Sequence, residues 1–250
     1  PAKRIGHFVR NMDLYLTNQK KNDRCIDLFC EGKVISNYYF LKMLKKKITI
    51  IPHFFSSKLL RLHLFLTKYF KTLKIHTLDI NTIEHEYDYN NSIYKNKCFF
   101  TFNKEEIDKG KSFLRKLNLQ DNEKYVCLCI RDSSYLKKFF PNKDYTYHDY
   151  RDHNIENFYL AANKLTELGY KVLRMGKTAE KKFDNGNKMI IDYASLDVND
   201  DFYDFYLFAN CEFVISTATG LDALGILFRK PLLTSSYFPF FETHSNKILN

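Results

Sequence analysis

Residues 125–133 read YVCLCIRDS, and this stretch decides the fold. Residues 125–130 form a continuous apolar run with the length of a strand that is buried on both faces. An Arg-Asp pair follows at once, and a long polar and aromatic segment continues to residue 153. Strands buried on both faces belong to parallel sheets covered by helices, so the stretch predicts an α/β fold.

Strand and helix patterns alternate on both sides of this run. A helix is predicted before it at 104–117, and Gly169 is predicted to end the helix that follows it. Such alternation is the signature of a doubly wound sheet. The further predicted strands are 171–175, 189–191, 213–216 and one beginning at 232, and the further predicted helices are 155–168, 201–209 and 221–228.

The first part of the chain shows a similar but weaker alternation. Residues 4–7 are interpreted as the end of a first strand, and a long amphipathic helix is predicted around residues 59–70. Residues 81–102 are interpreted as a connection, which divides the chain into domains 1–103 and 104–250. The other predicted elements of this part are strands 26–30 and 48–51 and helices 11–20 and 36–46.

The chain is basic, with a net charge of +10 over 250 residues. This charge is compatible with a solvated lysine-rich surface, nucleic acid, an anionic membrane face or a phosphorylated substrate. Among the lysine runs, Lys42–Lys47 fits peripheral contact with the inner membrane face best. The scattered lysines and the absence of a nucleic-acid motif argue against nucleic acid.

Cysteine spacing and hydropathy indicate a cytoplasmic protein. The six cysteines form no CxxC pair, and Cys127, Cys129 and Cys211 lie in apolar runs where cysteine acts as a small hydrophobe. Neither a disulfide framework nor a zinc site is predicted. No signal peptide and no apolar run long enough to span a bilayer is found in the sequence. Both ends of the sequence are interpreted as cut from a longer chain.

The sharpest local signal is FVISTATG at residues 213–220, where a strand enters a turn of small residues and then a helix. Backbone N–H groups at such a turn can hold a phosphate, and an ordinary helix cap without a ligand is the alternative. The predicted donor-binding residues of this turn are Ser216, Thr217, Thr219 and Gly220.

Two arginines are candidates for the same ligand. Arg131 follows the strand 125–130, and a guanidinium at the end of a parallel strand suits a diphosphate. Arg151 lies in the long loop after it, beside tyrosines and aspartates that could clamp a nucleoside or sugar. The alternatives are a surface Arg–Asp pair for Arg131 and a structured loop whose Asp152 or Asn154 caps the next helix.

Three further residues, Arg174, Gly176 and Asp192, follow predicted strands at the same edge and are candidates for the base or ribose. His7, at the predicted end of the first strand, is the candidate general base, and a structural histidine is the alternative. The acidic residues at 197, 200 and 201 are interpreted as helix caps, and no metal site is predicted.

These motifs together resemble a family of bacterial surface-polysaccharide glycosyltransferases. The resemblance covers nearly the whole chain, with Cys129 where the family usually has His and Ser216 where it commonly has Gly. It rests on the order of six segments: RIGH at 4–7, YVCLCIRDS at 125–133, YHDYR at 147–151, RMG at 174–176, DYA at 192–194 and DFYDFYL at 201–207.

The resemblance implies a GT-B-like fold, in which two Rossmann-like lobes with mostly parallel sheets face each other. It places the donor in the C-terminal lobe and the acceptor mainly against the N-terminal lobe. The reaction we expect is metal-independent, cofactor-free transfer of a sugar from a nucleoside diphosphate sugar to a hydroxyl of a glycan or lipid-linked glycan. A nucleotide-sugar epimerase, a polyol-phosphate transferase and a basic nucleic-acid-binding protein are the alternatives.

Overall fold

The computed structural model describes residues 2–18, 27–76, 88, 91–196, 198 and 200–235. These residues fall into two compact units, and the chain passes from one to the other between Asn96 and Lys97. The predicted boundary between residues 103 and 104 lies a few residues further on. Unit 1 denotes the described residues up to Asn96, and unit 2 denotes those from Lys97 onward.

Unit 2 is built on a five-stranded sheet in which every neighbouring pair of strands is parallel. The strand order is β5-β4-β3-β6-β7, so the predicted α/β class with a parallel sheet is confirmed for this unit. The strands are β3 (Tyr125–Cys129), β4 (Lys171–Met175), β5 (Ile190–Ile191), β6 (Val214–Ser216) and β7 (Leu232–Thr234).

Helices cover both faces of β3, which explains why all five of its residues are buried. Leu128 and Ile130 pack in a core cluster with Ala162 of the helix Tyr159–Glu167. On the other face, the hydroxyl of Tyr125 donates to the carbonyl of Leu207 in the helix Asp201–Asn210. Burial of such side chains contributes roughly 1.5–3 kcal/mol each, which makes β3 the centre of the unit.

The helices of unit 2 begin and end close to the predicted positions. The side chain of Asn103 accepts the Glu106 N–H and the Glu106 side chain accepts the Asn103 N–H, a capping box that starts α5. The α-helices are α5 (Lys104–Lys116), α6 (Ser134–Phe139), α7 (Tyr159–Glu167), α8 (Asp201–Asn210) and α9 (Asp222–Leu227), and 3-10 helices span Thr146–Arg151, Ile155–Phe158 and Tyr193–Ser195.

The described part of unit 1 contains a two-stranded parallel sheet, with Leu28 opposite Thr49 and Cys30 opposite Ile51. Two strands are fewer than a Rossmann sheet needs, so the Rossmann-like character of this unit stays a prediction. Its elements are α1 (Ile5–Asn18), β1 (Leu28–Cys30), α2 (Tyr38–Lys45), β2 (Thr49–Ile51), α3 (His53–Tyr69), a 3-10 helix (Lys71–His76) and α4 (Ser92–Lys95).

One element of unit 1 was predicted wrongly. Residues 4–7 do not end a strand, because α1 begins at Ile5 and its first turn contains Gly6 and His7. The buried face of α1 is formed by residues such as Phe8, Val9 and Met12, which recur at helical spacing. Residues 4–7 alone are too few to show the period of a helix, so they could not be told from a strand end.

The predicted amphipathic helix is present as α3, but its apolar residues do not face a core. The buried residues of α3 are the polar Ser56 and Thr67. Large apolar side chains, among them Phe54, Phe65 and Tyr69, are exposed. None of the helices in the described ranges is long and apolar enough to cross a membrane.

Candidate functional site

The carboxyl ends of the strands in unit 2 meet at one edge of the sheet, because all the strands are parallel. After β3 the chain adds β4 and β5 on one side, and it then adds β6 and β7 on the other. The gap between the ends of β3 and β6 is therefore the topological switch point, where doubly wound sheets bind ligands. Arg131 follows β3 at this point, and Thr217 follows β6.

Backbone hydrogen bonds join the two segments at the switch point. The N–H of Arg131 donates to Oγ1 of Thr217 over 2.8 Å, and the N–H of Thr217 donates to the carbonyl of Cys129 over 3.0 Å. The carbonyl of Arg131 accepts the N–H of His153 over 3.0 Å, which ties the end of the long loop to β3. Hydrogen bonds thus hold both the backbone N–H and the backbone carbonyl of Arg131.

The side chain of Arg131 forms an ion pair with Asp152. The distance from Nε to Oδ1 is 3.2 Å, and the Arg131 side chain is 15 % exposed. Burial raises the pKa of Asp152 above its ordinary value, and the nearby Arg131 charge opposes that rise. Burial also lowers the pKa of His153, and the charge of Arg131 lowers it further. The partly buried charge of Arg131 therefore influences the pKa values of both Asp152 and His153.

Arg151 reaches the same place from the 3-10 helix Thr146–Arg151. Its Nη2 donates to the carbonyl of Ala218 over 2.9 Å. Ala218 has a φ of 61°, so the turn after β6 contains a residue in the left-handed region, where Ala is uncommon. Arg131 and Arg151 are therefore both anchored to the turn that begins at Thr217.

The turn itself differs from the predicted phosphate cradle. Ser216 is buried, and its hydroxyl donates to Oδ2 of Asp222 over 2.9 Å. Asp222 lies in the first turn of α9, which has only six residues, so the helix dipole at this end is short and already faces a carboxylate. The N–H of Thr219 donates to Oγ of Ser216 over 3.3 Å, and Gly220 is exposed. The arginines are therefore stronger candidates for an anion than the helix end.

The other half of the edge, after β4 and β5, is closed by a buried arginine. Arg174 is 2 % exposed, and its guanidinium lies 3.2 Å from carboxylate oxygens of both Asp132 and Asp192. The Nη1 atom also donates to the carbonyl of Lys181 over 3.2 Å. The arginine is thus enclosed by partners from three segments of the chain.

The two carboxylates beside Arg174 are held in turn by backbone N–H groups. Asp132 accepts the N–H of Glu180 over 3.1 Å, and Asp192 accepts the N–H of Phe183 over 2.8 Å. Gly176 follows β4, and a Cβ atom there would lie 2.9 Å from Cβ of Ala194. This geometry gives Arg174, Gly176 and Asp192 a part in holding the edge together, and their contact with a donor stays a prediction.

His7 belongs to unit 1 and lies exposed in the first turn of α1. The hypothesis that it is the general base relied on a strand end at this position, and that strand end is wrong. The role of His7 as base therefore has no geometric support, and the proposal below assigns no base.

The interpretation of the acidic residues before α8 as helix caps is confirmed for Asp200, whereas Asp201 lies within the helix and pairs with Lys177. The side chain of Asp200 accepts the N–H of Phe202 and caps the helix. Asp197 lies outside the described residues. A small cavity beside this cap is lined by Lys177, Tyr193 and Asp204. Across the described ranges, no group of three or more His, Cys, Asp and Glu side chains is placed to hold a metal ion.

Sequence reasoning missed two members of the site. One is Asp222, which follows the turn and accepts the hydrogen bond from the Ser216 hydroxyl. A Ser in a turn followed by an Asp at a helix start could have indicated this hydrogen bond. The left-handed residue of the turn is Ala218, whereas Gly220 was the natural candidate. No local signal identifies an Ala that adopts this conformation.

Comparison with family models, with curated proteins and with solved structures finds no match for this chain. The functional proposal therefore depends on the geometry of the carboxyl edge and on the motifs in the sequence.

Proposed function

We propose that unit 2 binds the diphosphate of a nucleoside diphosphate sugar between the ends of β3 and β6. On this proposal the chain is a glycosyltransferase that moves the sugar to a hydroxyl of a glycan or lipid-linked glycan. One observation carries the proposal: Arg131 and Arg151 come from separate segments and both anchor to the turn at Thr217 and Ala218, at the switch point of the sheet.

The chemistry of glycosyl transfer explains why two arginines suit this position. Negative charge grows on the diphosphate as the bond to the sugar breaks, and fixed positive groups stabilise that charge without reorganising. A guanidinium presents several N–H donors in a plane, so one arginine can bind two phosphate oxygens. The backbone bonds that hold Arg131 in place favour such preorganisation.

The ion pair with Asp152 fits this proposal. A diphosphate would compete with the Asp152 carboxylate for Arg131, and burial already disfavours the charged form of that carboxylate. Protonation of Asp152 would weaken its attraction for the guanidinium of Arg131. We therefore propose Arg131 and Arg151 as the principal contacts of the diphosphate.

The finer parts of the proposal follow from the resemblance. They are the two-lobed GT-B architecture, the acceptor role of the N-terminal domain and the independence from metal ions. Two arginines supply positive charge of the kind that a divalent cation would otherwise provide. The proposal also places the nucleoside near the other half of the edge, beside Arg174, Gly176 and Asp192.

A thermal-shift screen of UDP-, GDP-, CDP- and ADP-sugars tests the proposal first. A ligand that binds only the folded chain raises the melting temperature, and the active nucleotide should do so in proportion to its concentration. Incubating that donor with glycan acceptors should then yield a product longer by one sugar. An isomeric nucleotide sugar would indicate an epimerase, and no shift with any of the four would contradict the proposal.

A further inference from the structure

The positive charge of the chain is concentrated in one stretch of unit 1. Residues 32–78 contain ten Lys and Arg and no Asp or Glu, which leaves 29 basic and 29 acidic residues in the rest of the chain. The net charge of +10 therefore comes from this stretch alone. Charge confined in this way creates a local positive field, whereas the same number of scattered lysines would not.

Within this stretch, α3 buries two polar residues and exposes its large apolar ones, unlike a helix that packs against a core. Ser56 and Thr67 are buried, whereas Phe54 is 66 % and Tyr69 is 68 % exposed. A core helix places its apolar stripe inward. The exposed apolar side chains are spread along the whole length of α3, and they include Phe54, Leu62, Phe65 and Tyr69.

Cations lie among these apolar groups. Lys58, Arg61 and Lys68 are exposed on the same helix. The Nζ of Lys58 lies 4.7 Å from the centroid of the Phe54 ring, and the rings of Phe65 and Tyr69 are 5.1 Å apart. Aromatic and leucine side chains combined with Lys and Arg are the composition of helices that lie in the plane of a membrane interface.

We propose that α3 is a membrane-interfacial helix that binds the chain to a bilayer rich in anionic lipid. Its apolar side chains enter the boundary between headgroups and acyl chains, and Lys58, Arg61 and Lys68 meet the anionic headgroups. At 1.5 Å per residue, its 17 residues extend about 26 Å along the bilayer surface. This contact is independent of the nucleotide-binding proposal, and in the sequence α3 follows soon after the Lys42–Lys47 run.

Charge decides between a bilayer and a second copy of the chain. Two α3 helices packed face to face would bring cations together with no carboxylate of α3 between them, because residues 53–69 contain none. An anionic bilayer supplies both the negative charge and the apolar phase. Nucleic acid would match the charge but would leave the phenylalanine and leucine side chains in water.

Vesicle flotation of the whole chain tests the proposal. The probes are vesicles of phosphatidylcholine alone and vesicles that also contain about 30 % phosphatidylglycerol, whose surface attracts basic segments. We expect binding to the anionic vesicles at least about tenfold tighter than to the neutral ones, and weaker binding as salt rises. Failure of the parent chain to bind the anionic vesicles would overturn the proposal.

Two variants of α3 separate the two contributions to binding. The triple change Phe54→Ser, Leu62→Ser, Phe65→Ser removes the apolar contact, and Lys58→Gln, Arg61→Gln, Lys68→Gln removes the charge. Each should weaken binding to the anionic vesicles by about tenfold or more. The matched controls in unit 2 are the exposed apolar residues Leu160 and Leu168 changed to Ser and the exposed lysines Lys104, Lys116 and Lys143 changed to Gln, and they should bind as the parent does.

The other occupants of this face would give different results. If a second copy covers it, light scattering should show a dimer that the serine variant dissociates. If another segment of the chain covers it, the serine variant should melt at a lower temperature and bind vesicles as the parent does. Either result would overturn the proposal. So would binding to a single-stranded oligonucleotide, without lipid, that is as tight as binding to the anionic vesicles.

Discussion

The two halves of the carboxyl edge in unit 2 use arginine in different ways. After β4 and β5, Arg174 is buried between Asp132 and Asp192, so its charge is matched twice. At the switch point, Arg131 faces Asp152, and Arg151 donates to a backbone carbonyl. The first half holds the fold together, and we propose that the second half binds the ligand. An arginine at a strand end is therefore a poor candidate for ligand binding when it is buried between two carboxylates, as Arg174 is.

The largest effect expected from this comparison is on stability. Arg174→Met should lower the free energy of unfolding by about 3–5 kcal/mol, because it leaves two largely enclosed carboxylates without their cation. Arg131→Met should cost less than about 2 kcal/mol, because the ion pair of Arg131 with Asp152 is more exposed to solvent than the two ion pairs of Arg174. Urea unfolding of both variants measures the difference. Equal losses would remove the distinction between the two halves of the edge.

The pH dependence of stability tests what happens to a buried carboxylate without an arginine. Asp204 is such a carboxylate in unit 2, since none of its described contacts is with an arginine. Tyr193 donates to Asp204 over 2.8 Å, yet burial raises the pKa of Asp204 from 3.8 to about 6. A raised pKa means that the folded chain holds the proton more tightly than the unfolded chain does. The stability from this group is complete below about pH 4 and is lost as the pH rises through about 6.

Asp204→Asn should remove this dependence. Between about pH 4 and pH 7, the parent should lose about 1–3 kcal/mol of unfolding free energy relative to the variant. Urea unfolding of both chains across that range measures the difference. Parallel curves for the two chains would show that Asp204 keeps an ordinary pKa.

Gly176→Ala tests how tightly the chain packs in the half of the edge after β4 and β5. The added methyl group would lie 2.9 Å from Cβ of Ala194, so the end of β4 must move away from the 3-10 helix Tyr193–Ser195. A loss of about 1–2 kcal/mol is expected in thermal or urea unfolding. Gly32→Ala is the matched control, because its nearest atoms would lie 3.6 Å away. Equal stability of the two variants would mean that the edge adapts freely at Gly176.

The smallest effect should come from removing metal ions. The proposed reaction relies on Arg131 and Arg151 for positive charge, so turnover in excess EDTA should equal turnover without it. Loss of activity in EDTA with rescue by Mg²⁺ or Mn²⁺ would contradict this expectation. Attention would then pass to the carboxylates near the start of α8, such as Asp200 and Asp201.

Sequence patterns predicted unit 2 well because its strands carry strong local signals. The run 125–130 is apolar throughout, and β4 begins and ends at the predicted residues 171 and 175. In unit 1 the same approach misassigned residues 4–7 as a strand end, although α1 begins at Ile5. It predicted α3 as amphipathic but could not show that the apolar side faces outward, because periodicity alone does not say which side meets the core.

The sequence predicted which residues lie at this edge but not their hydrogen-bond partners. Arg131 and Thr217 come together as the parallel topology requires, and Arg151 reaches the adjacent Ala218 from the long loop. The burial of Arg174 and the bond from Ser216 to Asp222 depend on contacts between distant segments or on the local path of the turn. Local sequence does not encode those contacts, and they decide which polar groups remain for a ligand.

The most direct test of the central claim is calorimetric titration of UDP, GDP, CDP and ADP into the parent chain and into Arg131→Ala. Arg115→Ala is the control, because Arg115 also pairs with an aspartate, Asp121, but on an exposed surface of unit 2. We predict that the nucleotide that binds loses about 1.5–3 kcal/mol of binding free energy in Arg131→Ala and none in Arg115→Ala, while both variants melt cooperatively. Unchanged affinity in folded Arg131→Ala would contradict the claim that the diphosphate lies at the switch point.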